Sequence, residues 1–240
     1  MNATALITGA SRGTGARLAA LMADADHDVV VHYRSREVLA HKVVRDIEGR
    51  GRRAWPIAAD LVEPGAPAAL AEKVAALTRT VNVLILNASG GLEPGHGADY
   101  PTRMNVTAQV ATLRAITPLM PEGSRVVFVT SHHAHFHPAV ETLPEYRPIA
   151  ASKRAGESAV RDQIPELARR GISLVVVSGD VVARTATAVM LERAHPDTFA
   201  RRRARGDDPL TINEFAAGVA GAALDRDKPT GHTVYVGATN

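Results

Sequence analysis

The stretch Thr8-Gly9-Ala10-Ser11-Arg12-Gly13-Thr14-Gly15 constrains this chain more than any other. An apolar run at residues 3–8 leads into it, and a segment with helical periodicity at residues 13–25 leads out. Glycines between a strand and a helix permit a tight turn and let a ligand approach the backbone closely. The helix that follows offers free N–H groups and the positive end of its dipole to an anion. The spacing therefore predicts a Rossmann-type unit. It would hold the pyrophosphate of a dinucleotide on Gly9, Ser11, Arg12, Gly13, Thr14 and Gly15.

The same rhythm runs through all 240 residues. Strands are predicted at 3–8, 29–33, 54–58, 81–86, 125–130, 172–178 and 233–236. Helices are predicted at 13–25, 38–50, 66–79, 105–120, 149–170 and 212–224, with Pro165 kinking or breaking the fifth. The strand runs show little polar alternation, as expected of strands covered on both faces. The expected architecture is an α/β, doubly wound, parallel seven-stranded sheet with helices on both faces, in one domain over residues 1–240. Residues 183–209 break the rhythm and suit a helical lid.

The end of the second strand should select the cofactor. A chain that binds NAD places an acid there for the ribose 2′-hydroxyl. Here it reads Val31-His32-Tyr33-Arg34-Ser35-Arg36. An acid would repel a 2′-phosphate, whereas Arg34 and Ser35 can bind one and Arg12 can add a second cation. NADP(H) is the expected cofactor, with Tyr33 beside it.

Composition narrows the rest. Cysteine is absent, which excludes disulfides, thiol nucleophiles and thiolate metal sites. The formal charge is +3, and no basic stretch interleaved with aromatics points to nucleic acid. No apolar run is long enough to span a membrane, and the first residues lack the pattern of a signal peptide. A cytoplasmic protein is expected. The run Arg201-Arg202-Arg203-Ala204-Arg205 reads either as a solvated helix face or as a patch for an acidic partner or substrate.

Further motifs occur in order. They are Asp60-Leu61, Asn87-Ala88-Ser89-Gly90, Asn105, Ser131, Ala151-Ser152-Lys153, Ser178-Gly179 and Thr230-Gly231-His232. With the glycine turn they make the chain resemble the short-chain dehydrogenase/reductase family over essentially its whole length. The resemblance implies that Asp60, Leu61, Asn87, Ala88, Ser89, Lys153, Ser178 and Gly179 contact the cofactor. It also implies hydride transfer between nicotinamide and a carbonyl or alcohol. In that family a tyrosine handles the proton, and a lysine one helical turn away bonds the nicotinamide ribose. A serine orients the carbonyl oxygen and an asparagine supports a water chain. Ser131, Lys153 and Asn105 match the last three.

Four residues before Lys153, where the tyrosine should stand, this chain has Ile149. The nearest phenol is Tyr146. Pro148 is expected to open the helix, so the loop would have to fold back to bring Tyr146 to Ser131. Alternatively, a histidine of Ser131-His132-His133-Ala134-His135-Phe136-His137 supplies the proton, His133 foremost. If that segment is extended, His133, His135 and His137 share a face and a metal site is conceivable. They can also be ordinary loop histidines. Pro94 and Pro101 are expected to break the helix before Asn105. That helix helps form an oligomer interface in relatives, so a homodimer through the last strand and its helix is expected instead of a tetramer. Thr185 and Thr187 are candidates for the carboxamide or a phosphate. The resulting expectation is an NADPH-dependent carbonyl reductase for a small carbonyl or alcohol substrate. The alternatives are an NADP(H)-binding sensor or interaction protein that has lost catalysis, and dehydratase, epimerase or isomerase chemistry on the same scaffold.

Overall fold

In the computed structural model, which describes residues 3–91 and 95–239, strands and helices alternate along the chain. β1 (Thr4–Ile7) leads through the glycine turn into α1 (Gly13–Asp24). β2 (Asp28–Tyr33) and α2 (Glu37–Glu48) follow, then β3 (Ala54–Ala58) and α3 (Ala66–Leu77). After β4 (Val83–Leu86) one helical stretch contains α4 (Tyr100–Thr102), a π turn (Arg103–Thr107) and α5 (Ala108–Ile116). β5 (Arg125–Ser131) runs into α6 (His132–His135), followed by α7 (Arg147–Arg161) and α8 (Ile164–Arg169). β6 (Ser173–Gly179) precedes α9 (Ala186–Ala194), α10 (Pro196–Ala204) and α11 (Ile212–Leu224), and β7 (Thr233–Val236) is the last element.

The strands form one sheet in the order β3-β2-β1-β4-β5-β6-β7, every pair parallel. The strand order reverses at β1, between β2 and β4. A crevice opens there at the carboxyl ends of the strands, where ligands of such sheets bind. Alternate side chains feed two cores. Ile7, Val29, Val31 and Tyr33 pack with Leu18, Met22 and Val219 on the α1, α2 and α11 side. Leu6, Val30, Leu84 and Phe128 pack with Leu70, Leu113 and Val160 on the other. Each fully buried aliphatic side chain stabilises the fold by roughly 1.5–3 kcal/mol. With both faces covered, the strands need no polar alternation.

Arg125 starts β5 at the end of the sheet away from the crevice and is 2% exposed. Its guanidinium donates to the carbonyls of Ala222, Asp225 and Lys228 and to Ser173 Oγ, which fixes the end of α11 to the sheet. Burial pushes its pKa down, as does the nearby charge of Arg226.

The helix expected at 105–120 begins earlier, and Pro101 does not break it. Pro101 occupies the second position of α4, where its missing N–H has no intrahelical partner to lose. Pro94 lies outside the described residues. Pro165 ends the helix expected at 149–170 as anticipated: it is the second residue of α8, after α7 has stopped at Arg161. Among the described residues no helix is long and apolar enough to cross a membrane.

Candidate active site

A cleft of about 650 Å³ lies at the carboxyl ends of β1, β2 and β4. Gly9 and Gly13 have φ of 67° and 55°, which suits glycine. A Cβ on Gly15 would lie 2.2 Å from the carbonyl oxygen of Gly9, so the turn closes only around a bare backbone. Arg12 precedes α1 in extended conformation, and its side chain does not cap the helix. The free N–H groups of the first turn therefore stay available to an anion. Thr8 Oγ1 accepts from the N–H groups of Asn87 and Ala88, both at 2.9 Å. Asn87 Nδ2 donates to the carbonyl of Thr8 at 2.9 Å, tying the turn to the end of β4. This bare-backbone cradle fits the diphosphate of a dinucleotide.

The expected residues Gly9, Ser11, Arg12, Gly13, Thr14, Gly15, Arg34, Ser35, Asp60, Leu61, Asn87, Ala88 and Ser89 all line this cleft. Tyr33 does not. It faces the core beside Ala40 and Val44, because Val29, Val31 and Tyr33 share one side of β2. His32 takes the other side and lines the cleft, which the sequence reading missed. The Gly9 N–H donates to His32 Nδ1 at 3.1 Å, so Nε2 carries the proton and donates to the carbonyl of Ala59 at 3.0 Å. Burial lowers its pKa to about 4, and the ring stays neutral near pH 7. Arg36 and Arg184 add to the cations around the cleft. Arg34 Nη1 donates to the phenol of Tyr100 at 2.5 Å, and Tyr100 stacks on His96 with ring centroids 3.9 Å apart.

A smaller cavity of about 190 Å³ adjoins the cleft and is lined by Ser131, His133, Tyr146, Lys153, Thr185 and Thr187, among others. Ser131 ends β5 and caps α6, accepting from the Ala134 N–H at 3.4 Å. Tyr146 stands at the N-cap of α7 with φ −90° and ψ −15°, and its carbonyl accepts from the Ala150 N–H at 2.9 Å. The helical path thus reaches Tyr146, and no fold-back of the loop is needed. Pro148 is the second helical residue, not the first. In the first turn a proline breaks no helical bond, and Arg147 keeps helical geometry before it. Seven residues are about two turns, so Tyr146 and Lys153 share a helix face. The Tyr146 phenol oxygen lies 3.3 Å from Ser131 Oγ. Ile149 instead packs towards Gly91, where an added Cβ would meet its Cγ1 at 2.9 Å.

Three expected residues make contacts within the fold. Asn105, 2% exposed in the π turn, donates from Nδ2 to the Gly90 carbonyl at 2.9 Å and to Ser152 Oγ at 3.0 Å. The Gly90 N–H returns a bond to Asn105 Oδ1 at 3.2 Å. Its side chain is taken up holding the loop after β4 to α7. Ser178 and Gly179 lie within the sheet, paired with Thr130 and Ser131 on one side and Tyr235 and Val236 on the other. The Ser178 hydroxyl contacts His132 Nδ1 at 2.7 Å. Directly after β6, Asp180, Val181 and Val182 reach the cavity.

The histidine segment is helical over His132–His135 rather than extended, and its rings diverge. His132 meets Ser178, His133 meets Thr142 Oγ1 at 3.2 Å, and His135 pairs with Glu157 at 2.9 Å. His133 alone of these three lines the reactive cavity. Burial pushes its pKa down, opposed by the charge of Asp180. His133 also lines an outer cavity of about 520 Å³, with Phe136, Val140, Leu143, Tyr146, Leu191 and Phe199 as apolar wall. The arginine run divides there. Arg202 turns inward to Asp180 and Asp207, Arg203 pairs with Glu192, and the exposed Arg201 lines the cavity.

The family model described as short chain dehydrogenase matches residues 3–195. A 1-cyclohexenylcarbonyl-CoA reductase of Streptomyces collinus is 32% identical over 74% of this chain and 64% of its own length. The match thus spans a little under two thirds of that curated relative. A short chain dehydrogenase of Burkholderia cenocepacia, solved in complex with NADP, superposes with a TM-score of 0.80 at 27% identity, covering 98% of this chain and 96% of that one. The angucycline C-6 ketoreductase LanV, solved with bound NADP, gives 0.81 at 25% identity, covering 97% and 93%.

Proposed function

The chain belongs to the short-chain dehydrogenase family, and we propose that it is an NADPH-dependent ketoreductase whose proton donor is Tyr146. The observation that carries this reading is the 3.3 Å approach of Tyr146 Oη to Ser131 Oγ in the cavity that also receives Lys153. The glycine turn, α1 and the arginines at the end of β2 hold NADPH, which supplies the hydride when bound. The solved neighbours with NADP bound support that choice of cofactor. Ser131 donates a hydrogen bond to the substrate carbonyl oxygen and orients it. Tyr146 gives that oxygen its proton as the alcohol forms. Lys153 bonds the nicotinamide ribose and lies on the face of α7 that carries Tyr146. Asn105 positions α7 instead of touching substrate. The carbonyl compound enters through the outer cavity, with α9 and α10 as its lid. His133, on the wall common to both cavities, is the second candidate for the proton.

The reading extends to one domain and to a cytoplasmic homodimer paired through β7 and α11, whose Tyr235 and Leu224 are exposed. Loss of catalysis through Ile149 is the competing reading. Its premise is a site without a phenol, and Tyr146 supplies one. The test is NADPH consumption with a panel of aliphatic and aromatic ketones. Turnover that falls sharply in Ser131→Ala and Lys153→Ala supports the assignment. Tight NADPH binding with no turnover on any ketone favours the sensor.

A further inference from the structure

Arg184 stands in the segment that joins β6 to α9, with φ of 62°. Left-handed backbone is free for glycine and costly for an L side chain. The neighbours enforce it. The Ala183 N–H donates to the Leu210 carbonyl at 2.8 Å, and the Leu210 N–H donates to that of Val181 at 2.8 Å. On the other side, Thr185 Oγ1 donates to the Val182 carbonyl at 2.8 Å and accepts from the Ala188 N–H at 3.2 Å. An arginine is thus kept where the fold would be better served by glycine. Strain of this kind clusters at active sites and ligand clamps.

The position says which function. Arg184 and Thr185 line the nucleotide cleft together with the glycine turn, and Thr185 also lines the cavity of Ser131, Tyr146 and Lys153. Arg184 therefore sits where the cleft passes into the reactive cavity. Arg34, Ser35, Asp60 and Leu61 line the same cleft but not that cavity. The part of a dinucleotide that spans this junction is the diphosphate and the ribose next to it. A guanidinium offers a diphosphate two parallel charge-assisted hydrogen bonds.

The geometry points to Arg184 as a clamp on the coenzyme diphosphate, closing from the β6–α9 segment onto the phosphates held by the glycine turn. This rests on the dinucleotide reading above and adds a binding residue from the β6–α9 segment. The diphosphate is common to NADH and NADPH, so the clamp serves both equally, whereas Arg34 serves the 2′-phosphate alone.

The experiment compares wild type with Arg184→Gly and Arg184→Lys by calorimetric titration with NADPH, NADH and 2′,5′-ADP, which lacks the diphosphate bridge. Glycine relieves the backbone, so any loss of affinity belongs to the side chain. Arg184→Gly is expected to weaken NADPH and NADH alike, by about tenfold, and to leave 2′,5′-ADP within about twofold. Arg184→Lys should recover part of the loss, since it restores charge without the fork. Equal or tighter coenzyme binding by Arg184→Gly overturns the clamp. A loss confined to NADPH and 2′,5′-ADP overturns it too, since Arg184 would then read the 2′-phosphate. Wild-type protein that binds none of the three defeats the dinucleotide reading itself.

Discussion

Tyr146 Oη lies 3.3 Å from Ser131 Oγ, although the phenol stands one helical turn before the position that Ile149 occupies. The start of α7 makes this possible. Pro148 sits in the first turn, where it leaves the path back to Tyr146 intact.

The first prediction follows from that pair. Tyr146→Phe should lower kcat for ketone reduction by about 10²- to 10⁴-fold, the usual contribution of a positioned proton donor. NADPH affinity should stay nearly constant. Moving the phenol to its usual place should not rescue the enzyme. Ile149 already abuts Gly91, so a tyrosine there overpacks the site and costs about 1–3 kcal/mol. Steady-state kinetics and urea unfolding of Tyr146→Phe and Tyr146→Phe/Ile149→Tyr check both statements. Unchanged kcat in the single variant would hand the role to His133.

Cofactor choice gives the second. Arg34 donates to Tyr100 and lies at the cleft. Arg34→Ala should weaken NADPH by about 10- to 100-fold, the worth of charge-assisted bonds to phosphate, and change NADH little. Tyr100→Phe removes the partner that orients Arg34, so a smaller loss of the same kind is expected. Fluorescence titration with both nucleotides reads the difference. Equal losses for the two would refute the assignment.

These two cases show what local sequence conveys. The glycine turn and the seven strands were legible because turn chemistry and apolar runs act over a few residues. Tyr33, expected beside the cofactor, faces the core instead, because its side of β2 depends on the pleat, and the pleat gives the cleft to His32. The histidine spacing leaves an extended segment open, because spacing alone does not reveal that Ser131 caps a helical turn there. Arg202 could not be separated from Arg201 and Arg203, since its partner Asp180 lies 22 residues away in the chain. The geometry of Tyr146 turned on whether a helix can pass a proline in its first turn, which general preferences leave open.

His32 supports a third prediction, on pH. Burial holds its folded pKa at about 4, below the ordinary value of 6.5. The unfolded chain therefore takes up a proton between those values while the folded chain does not. Stability is lost as pH falls through that window, by about 3 kcal/mol over its full width. His27, His132 and His133, each lowered first by burial, act in the same direction. His32→Gln should flatten the dependence of Tm on pH between 6.5 and 4. A curve parallel to wild type would show that His32 titrates normally.

The last prediction concerns Glu157, which anchors the helix that carries Tyr146 and Lys153. Its side chain is fully buried yet ionic. His135 Nδ1 meets both carboxylate oxygens at 2.9 Å, and Arg161 Nε donates to Oε1 at 2.9 Å. Arg161 goes on to the Gly231 carbonyl and Thr233 Oγ1, so one carboxylate joins α6, α7 and the lead into β7. Removing one member of a buried ionic set leaves the others uncompensated. Glu157→Gln should therefore cost about 3–5 kcal/mol in urea unfolding. Replacing carboxylate and imidazole together, as in Glu157→Leu/His135→Phe, should cost less than the single change, because fewer polar groups are then stranded. Neither variant removes a group from the reactive cavity. At a temperature where it is folded, each should keep kcat within a few-fold of wild type while its Tm falls. A large drop in kcat at unchanged Tm would mean that the set moves protons or positions α7 for catalysis, and that its part in stability is minor.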